Sequence, residues 1–205
     1  MSAYKRVLGA AVLVGTLLTG CSSSTDSLPR LASDAVILAF GDSLTFGTGA
    51  NSDQSYPAVL ENLSGRTVIN AGNPGEVSAD GLRRLPGEVD AQEPDLVVLC
   101  HGGNDILRKF DRAQTRENLT AMIEYLHDSE IPVVLIGVPD FGVFLNTADM
   151  YLEVADDTGV IIEEDIIADL LSDNQFRSDQ VHPNAAGYER LAESIQTLLE
   201  QHGAL

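Results

Sequence analysis

The chain has 205 residues, 44% hydrophobic and 21% charged, enough for one domain with a full core and too apolar to be disordered. Against 31 acidic residues stand only 12 basic ones, a formal charge of −19, which excludes nucleic acid as a partner because phosphates need Lys and Arg. The same charge repels anionic lipid head groups and polyanionic substrates, so a neutral or zwitterionic ligand is expected.

The first residues read as an address. Lys5 and Arg6 precede an apolar run, Val7 to Leu18, broken only by Gly15 and Thr16. This is the form of a secretory signal peptide, and it is shorter than the roughly 20 residues of a transmembrane helix. Leu18-Thr19-Gly20-Cys21 resembles the bacterial lipobox, in which the cysteine is lipidated and becomes the mature N-terminus. The expected division is a signal peptide over 1–20, a lipidated Cys21 with a flexible tether over 21–33, and a single folded domain over 34–205. Membrane attachment through Cys21 and a place in the bacterial envelope, facing the periplasm or the exterior, follow from that resemblance. Cys100 is the second of two cysteines. It closes an apolar run and reads as a buried, inert thiol, and lipidation of Cys21 would leave it no disulfide partner.

Ala35 to Phe40 is apolar and partly β-branched, the pattern of a strand buried on both faces. It stops at Gly41-Asp42-Ser43. A serine there is either a helix N-cap or a nucleophile at the carboxyl edge of a sheet. Helical spacing over Tyr56–Leu63 leads to a short strand, Thr67–Asn70, and to Ala71-Gly-Asn-Pro-Gly75, a loop too rich in Gly and Pro to be regular. Ser78–Asp90 reads as a helix interrupted or kinked at Pro86-Gly87. Leu96–Cys100 is the third strand, running into His101-Gly-Gly-Asn-Asp105, and Thr115–Asp128 is an amphipathic helix. Ile131–Val138 is the fourth strand, followed by the apolar loop Pro139–Leu145. A helix over Ala148–Asp157, a fifth strand over Val160–Ile162 and a helix over Ile166–Ser172 come next. After the polar loop Asp173–Asn184, the helix Ala185–His202 closes the chain. Strands alternating with helices predict an α/β fold, a three-layer α/β/α domain on a parallel sheet of about five strands.

In a parallel sheet the loops after the strands open on one edge, so Ser43, the Asn70–Gly75 loop and Gly102–Asp105 can converge. Asp179 and His182, three apart in one loop, can set a carboxylate against Nδ1 while Nε2 points at a serine hydroxyl.

Gly41-Asp42-Ser43-Leu44, Asn70 to Glu76, Gly102-Gly103-Asn104-Asp105 and Asp179-Gln-Val-His182 together resemble the ordered blocks of the SGNH hydrolases, also called GDSL esterases and lipases. In the second block Pro74-Gly75 stands where members often have Ser-Gly. The likeness covers nearly the whole mature chain and is nearest to the arylesterase, acyl-thioesterase and lysophospholipase branch. It implies a flavodoxin-like SGNH hydrolase fold, Ser43 as nucleophile, His182 as base and Asp179 orienting it. It also implies an oxyanion hole made of the Ser43 and Gly75 N–H groups and the Asn104 amide.

The implied reaction is hydrolysis of a small-molecule acyl ester, thioester or lysophospholipid through an acyl-enzyme. Deacetylation of envelope carbohydrate, or a catalytically inactive lipid-anchored binding protein, are the alternatives. Phe141, Val143, Phe144 and Leu145 follow the fourth strand at the active edge and are equally an acyl groove or core. Asp42 is a support for the serine turn or an ordinary turn carboxylate, and His101 a structural or a substrate-facing residue. His127 and His202 read as helix-end residues, and the acidic clusters Asp156-Asp157 and Glu163-Glu164-Asp165 as solvated faces. No metal, no cofactor and a monomeric protein are expected.

Overall fold

In the computed structural model, residues 27–142 and 145–205 are described; Cys21, Val143 and Phe144, and with them the signal-peptide and lipidation readings, lie outside them. The two most apolar stretches become the centre of the sheet. Of β1 (Val36–Gly41), all but the first residue is buried, and β3 (Leu96–Cys100) is buried throughout. β2 (Thr67–Gly72), β4 (Val133–Ile136) and β5 (Ile161–Glu163) flank them in the order β2-β1-β3-β4-β5, every pairing parallel. Such an order is flavodoxin-like. The chain leaves β1 toward one edge and β3 toward the other, which opens a crevice beyond their carboxyl ends.

Helices cover both faces. α1 (Ser43–Phe46) follows β1 directly, and α2 (Tyr56–Ser64) packs with the closing α8 (Ala185–Gln201) on one face. On the other face α3 (Ser78–Gln92), α5 (Arg112–Asp128) and α6 (Asp149–Thr158) lie side by side. The short α4 (Gly103–Leu107) follows β3, and α7 (Ile166–Ser172) precedes the loop that leads into α8.

Three readings of the sequence are corrected. α3 runs on through Pro86 to Gln92, so the helix is not interrupted there. Leu85 and Val89 on either side are buried against the sheet, and that burial outweighs the one backbone bond the proline removes. β4 is shorter than Ile131–Val138, because Pro132 has no N–H and serves only as acceptor, its carbonyl taking the Val97 N–H at 2.9 Å. The third concerns the segment expected as tether. Its described part is docked: the Leu28 and Leu31 N–H groups donate to the carbonyls of His202 and Ala204, each at 2.8 Å, and the Leu31 side chain is buried.

Candidate active site

Asp42 shapes the turn after β1. Its carboxylate accepts the Leu44 N–H at 3.0 Å, capping α1, so that Ser43 stands at the first position of that helix. The cap is thus Asp42 and not Ser43, which corrects the N-cap reading of the serine and leaves its hydroxyl for other work. His182 Nε2 lies 3.0 Å from Ser43 Oγ, and its Nδ1 lies 2.8 Å from Asp179 Oδ2. The other Asp179 oxygen accepts the N–H groups of Val181 and His182, at 2.8 and 2.9 Å. Burial pushes the Asp179 carboxyl up, but the His182 bond and the two N–H groups more than offset it, leaving the group below its ordinary range. With Asp179 ionised, the proton on His182 Nδ1 is held toward the carboxylate and Nε2 is left to accept from the serine.

The loop carrying this pair is long and polar yet well fixed. Asn184 caps α8 by accepting the Gly187 N–H, while its amide donates to the Gln175 carbonyl. The Ser178 N–H donates to the His182 carbonyl at 2.9 Å, closing the Asp179–His182 turn on itself.

Asn104 sits in the first turn of α4, at the end of β3 and beside Ser43. Its amide donates to Asp42 Oδ2 and to the Glu76 carbonyl, both at 3.0 Å. Both partners are acceptors, so the amide nitrogen is assigned without ambiguity. Because both hydrogens are engaged, donating to a substrate oxygen requires trading or sharing one of these bonds. Gly75 lies one residue before Glu76, in a turn closed by the Glu76 N–H to the Asn73 carbonyl at 3.1 Å. Its φ of +80° is the left-handed conformation that glycine supplies, and Pro74 ahead of it suits the first central position of a type II turn. The Gly75 carbonyl accepts from Arg108 at 2.7 Å, and its N–H donates to no group among the described residues.

A narrow cleft above Ser43 is lined by Asp42, Leu44, Gly103, Asn104, Leu107, Phe141, Val181 and His182, with about 10 Å³ open to water, room for one molecule. Gly75 is not among the residues that line this cleft. Leu107, Phe141 and Val181 also line a wider groove of about 370 Å³ next to it, completed by Gly142, Leu145, Arg177 and Gln180. Phe141 and Leu145, for which groove and core were equal readings, are thus groove residues that also pack on the core.

The sequence reading missed α1 and α4, taken as loop, and the charged cluster of Glu76, Arg84 and His101 behind the site. Asp42 and His101 were singled out, and both are buried. Burial raises the Asp42 carboxyl, with His101, the Leu44 N–H and the Asn104 amide acting the other way. No group of three or more His, Cys, Asp or Glu side chains among the described residues is arranged to hold a metal ion.

Residues 39–190 match the model of the GDSL-like lipase/acylhydrolase family. The chain belongs to this family. It is therefore a carboxylic ester hydrolase with the SGNH hydrolase fold. An arylesterase of Vibrio mimicus is 30% identical over 81% of this chain and 88% of its own length. Esterase TesA of Pseudomonas aeruginosa is 29% identical over 90% of this chain and 96% of its own. A crystal structure of TesA superposes with a TM-score of 0.74, at 28% identity, covering 82% of this chain and 99% of that one.

Proposed function

We propose that this family member hydrolyses carboxylic acyl esters through an acyl-enzyme on Ser43. The observation that carries the reading is the single imidazole that bridges Asp179 at 2.8 Å and Ser43 at 3.0 Å. Ser43 Oγ attacks the ester carbonyl carbon while His182 Nε2 takes the hydroxyl proton. The carbonyl oxygen becomes an oxyanion facing the Ser43 and Gly75 N–H groups and the Asn104 amide, donors of the kind whose individual loss costs about 10²–10³ in kcat. Collapse breaks the bond to the alcohol oxygen, which receives the proton from His182. A water then repeats the sequence on the acyl-enzyme, releasing the acid and restoring the serine.

The groove beside the cleft, lined by Leu107, Phe141, Leu145 and Val181 together with Arg177 and Gln180, offers apolar contacts to an acyl chain, consistent with esters, thioesters or lysophospholipids. The small volume directly over Ser43 favours a second reading, an O-acetyl esterase acting on envelope carbohydrate. Hydrolysis of p-nitrophenyl esters of increasing chain length decides between them: rates that rise with length support the groove reading, and a steep preference for acetate supports the second. In the same assay Ser43→Ala is expected to lower kcat by on the order of 10⁶. Asp179→Asn, which presents an amide to Nδ1 and reverses the tautomer, is expected to lower it by up to about 10⁴. Equal rates for wild type and Ser43→Ala would remove the assignment.

Attachment to the envelope membrane through lipid on Cys21 is a further part of this reading, supported by Leu18-Thr19-Gly20-Cys21 and the serines that follow. Stable anchoring takes more than one acyl chain, which mature lipoproteins carry.

A further inference from the structure

Glu76 is a buried carboxylate placed where the mechanism has no direct use for it. Its two oxygens receive Arg84 through Nη2 at 2.6 Å and Nε at 2.9 Å, Asn73 Nδ2 at 2.9 Å and His101 Nε2 at 3.1 Å. The Gly102 N–H donates to His101 Nδ1 at 2.9 Å, which places the ring proton on Nε2, aimed at Glu76. Arg84 lies over the Phe40 ring, 4.2 Å from its centre, and its Nη2 also donates to the carbonyls of Ala71 at 3.1 Å and Gly41 at 3.3 Å. The Tyr151 hydroxyl fixes the other side of His101 through its carbonyl, at 2.7 Å.

These bonds share a pattern. Gly41 ends β1 and immediately precedes Asp42-Ser43. Ala71 is the penultimate residue of β2, just ahead of the Asn73–Glu76 turn that contains Gly75. His101 directly follows β3 and precedes Gly102-Gly103-Asn104. One charged cluster therefore grips the base of each of the three loops that carry an oxyanion donor, and the Glu76 carbonyl receives the Asn104 amide itself. Buried ion pairs seldom add net stability over apolar packing, but they fix geometry where they are kept. Burial pushes the Glu76 carboxyl up, yet its bonds to His101, Arg84 and Asn73 outweigh that and hold it at about 2, so the cluster keeps its charge across the neutral range.

We propose that Arg84, Glu76 and His101 are positioning residues for the oxyanion hole, a brace that locks the ends of β1, β2 and β3 together and sets where the Gly75 N–H and the Asn104 amide point. The inference rests on the esterase reading of the site. It concerns kcat and not substrate affinity, because an oxyanion forms only in the transition state.

The test uses the full-length protein in detergent with p-nitrophenyl acetate. Glu76→Gln keeps the shape of the side chain and removes its charge. Its kcat is expected to fall about 10- to 100-fold, the scale of a displacement near 1 Å at the reacting atoms, with KM within about twofold. Made on an Asn104→Ala background, the same substitution is expected to cost less than about threefold, since the donor it chiefly positions is gone. An unchanged kcat for Glu76→Gln would overturn the proposal. So would an equal fractional loss in both backgrounds, which is what a general loss of folded enzyme produces. If Glu76→Gln does not fold, Arg84→Lys carries the same expectations and the same refutations. It keeps the positive charge, but a single ammonium cannot span the carboxylate and two carbonyls. Wild type indistinguishable from Ser43→Ala would instead refute the esterase reading, and the brace with it.

Discussion

Three carboxylates around the site are held in different states by their surroundings. Asp179 and Glu76 lie below the ordinary range because each accepts several hydrogen bonds, whereas Asp42 lies above it, chiefly because of burial. The signs of their linkage to stability are opposite. A depressed carboxyl such as Glu76 contributes stability that is fully present above its unfolded value of about 4.5 and is lost as pH falls toward about 2. A raised one such as Asp42 costs stability when ionised, and that cost is relieved on acidification. The melting temperature of the wild type is therefore expected to drop between about pH 4.5 and pH 2, and Glu76→Gln to flatten that drop while lowering the plateau above it. Thermal melts at pH steps through this range check it. An identical pH slope in the two proteins would contradict the assignment of Glu76 as an ionised group.

At the scale of elements, the site is assembled where sheet topology reverses. β1 and β3 are adjacent, and the loops that leave them deliver Ser43 and Asn104 to neighbouring places although 61 residues separate them in sequence. The alternation of strands and helices was legible because β1, β3, β4 and α8 have strong apolar patterns, and the loops of the candidate site stood out because their residue types are chemically specific. The short helices α1 and α4 were not: four and five residues show no periodicity, and their caps, Asp42 and Gly102, look like turn residues in a string. Nor was the Glu76–Arg84–His101 brace, because nothing in local spacing tells that an arginine on α3 turns inward. One signal did exist. Gly81, the fourth residue of α3, is a poor helix former, and a Cβ there would lie 2.3 Å from His101 Nε2. The glycine is the space into which the imidazole fits. Gly81→Ala is accordingly expected to destabilise the protein despite its better helix propensity, by about 1–3 kcal/mol as an overpacked core position. Gly87 in the same helix has nothing within 4 Å of such a Cβ, so Gly87→Ala is expected to be neutral or stabilising. Denaturant melts of the pair measure the contrast, and similar losses for both would show that α3 resists alanine for a reason other than the ring.

The whole molecule has two ends. Ser43, Asn104 and His182 stand at the carboxyl edge of the sheet, while Ser27, Leu28 and Pro29 lie at the opposite edge, against Ile131, Pro132 and Val133 and the start of β5. α8 connects them. Asn184, two residues past His182, caps its beginning, and the His202 carbonyl at its far end receives the Leu28 N–H. Seventeen residues of helix make that separation about 25 Å.

That docked segment decides which way an anchored enzyme faces. From Cys21 to Ser27 the chain can reach at most roughly 20 Å when fully extended, less than the length of α8. With lipid on Cys21, the catalytic mouth is therefore turned outward, toward the compartment and away from the leaflet that holds the protein. Esters dissolved in that compartment are within its range, and those embedded beside its own anchor are not. Full-length protein reconstituted in vesicles is expected to hydrolyse a soluble ester at its detergent rate and to spare a lysophospholipid in the same bilayer, until a flexible insert of about 20 residues after Ser24 lengthens the leash. Equal hydrolysis of the embedded lipid without the insert would reverse that orientation, and a Cys21→Ser variant that still floats with the vesicles would remove the anchor. The seven residues from Cys21 to Ser27, too short to fold back around the domain, would thus act as a selectivity filter, sorting substrates by where they reside before any pocket sorts them by shape.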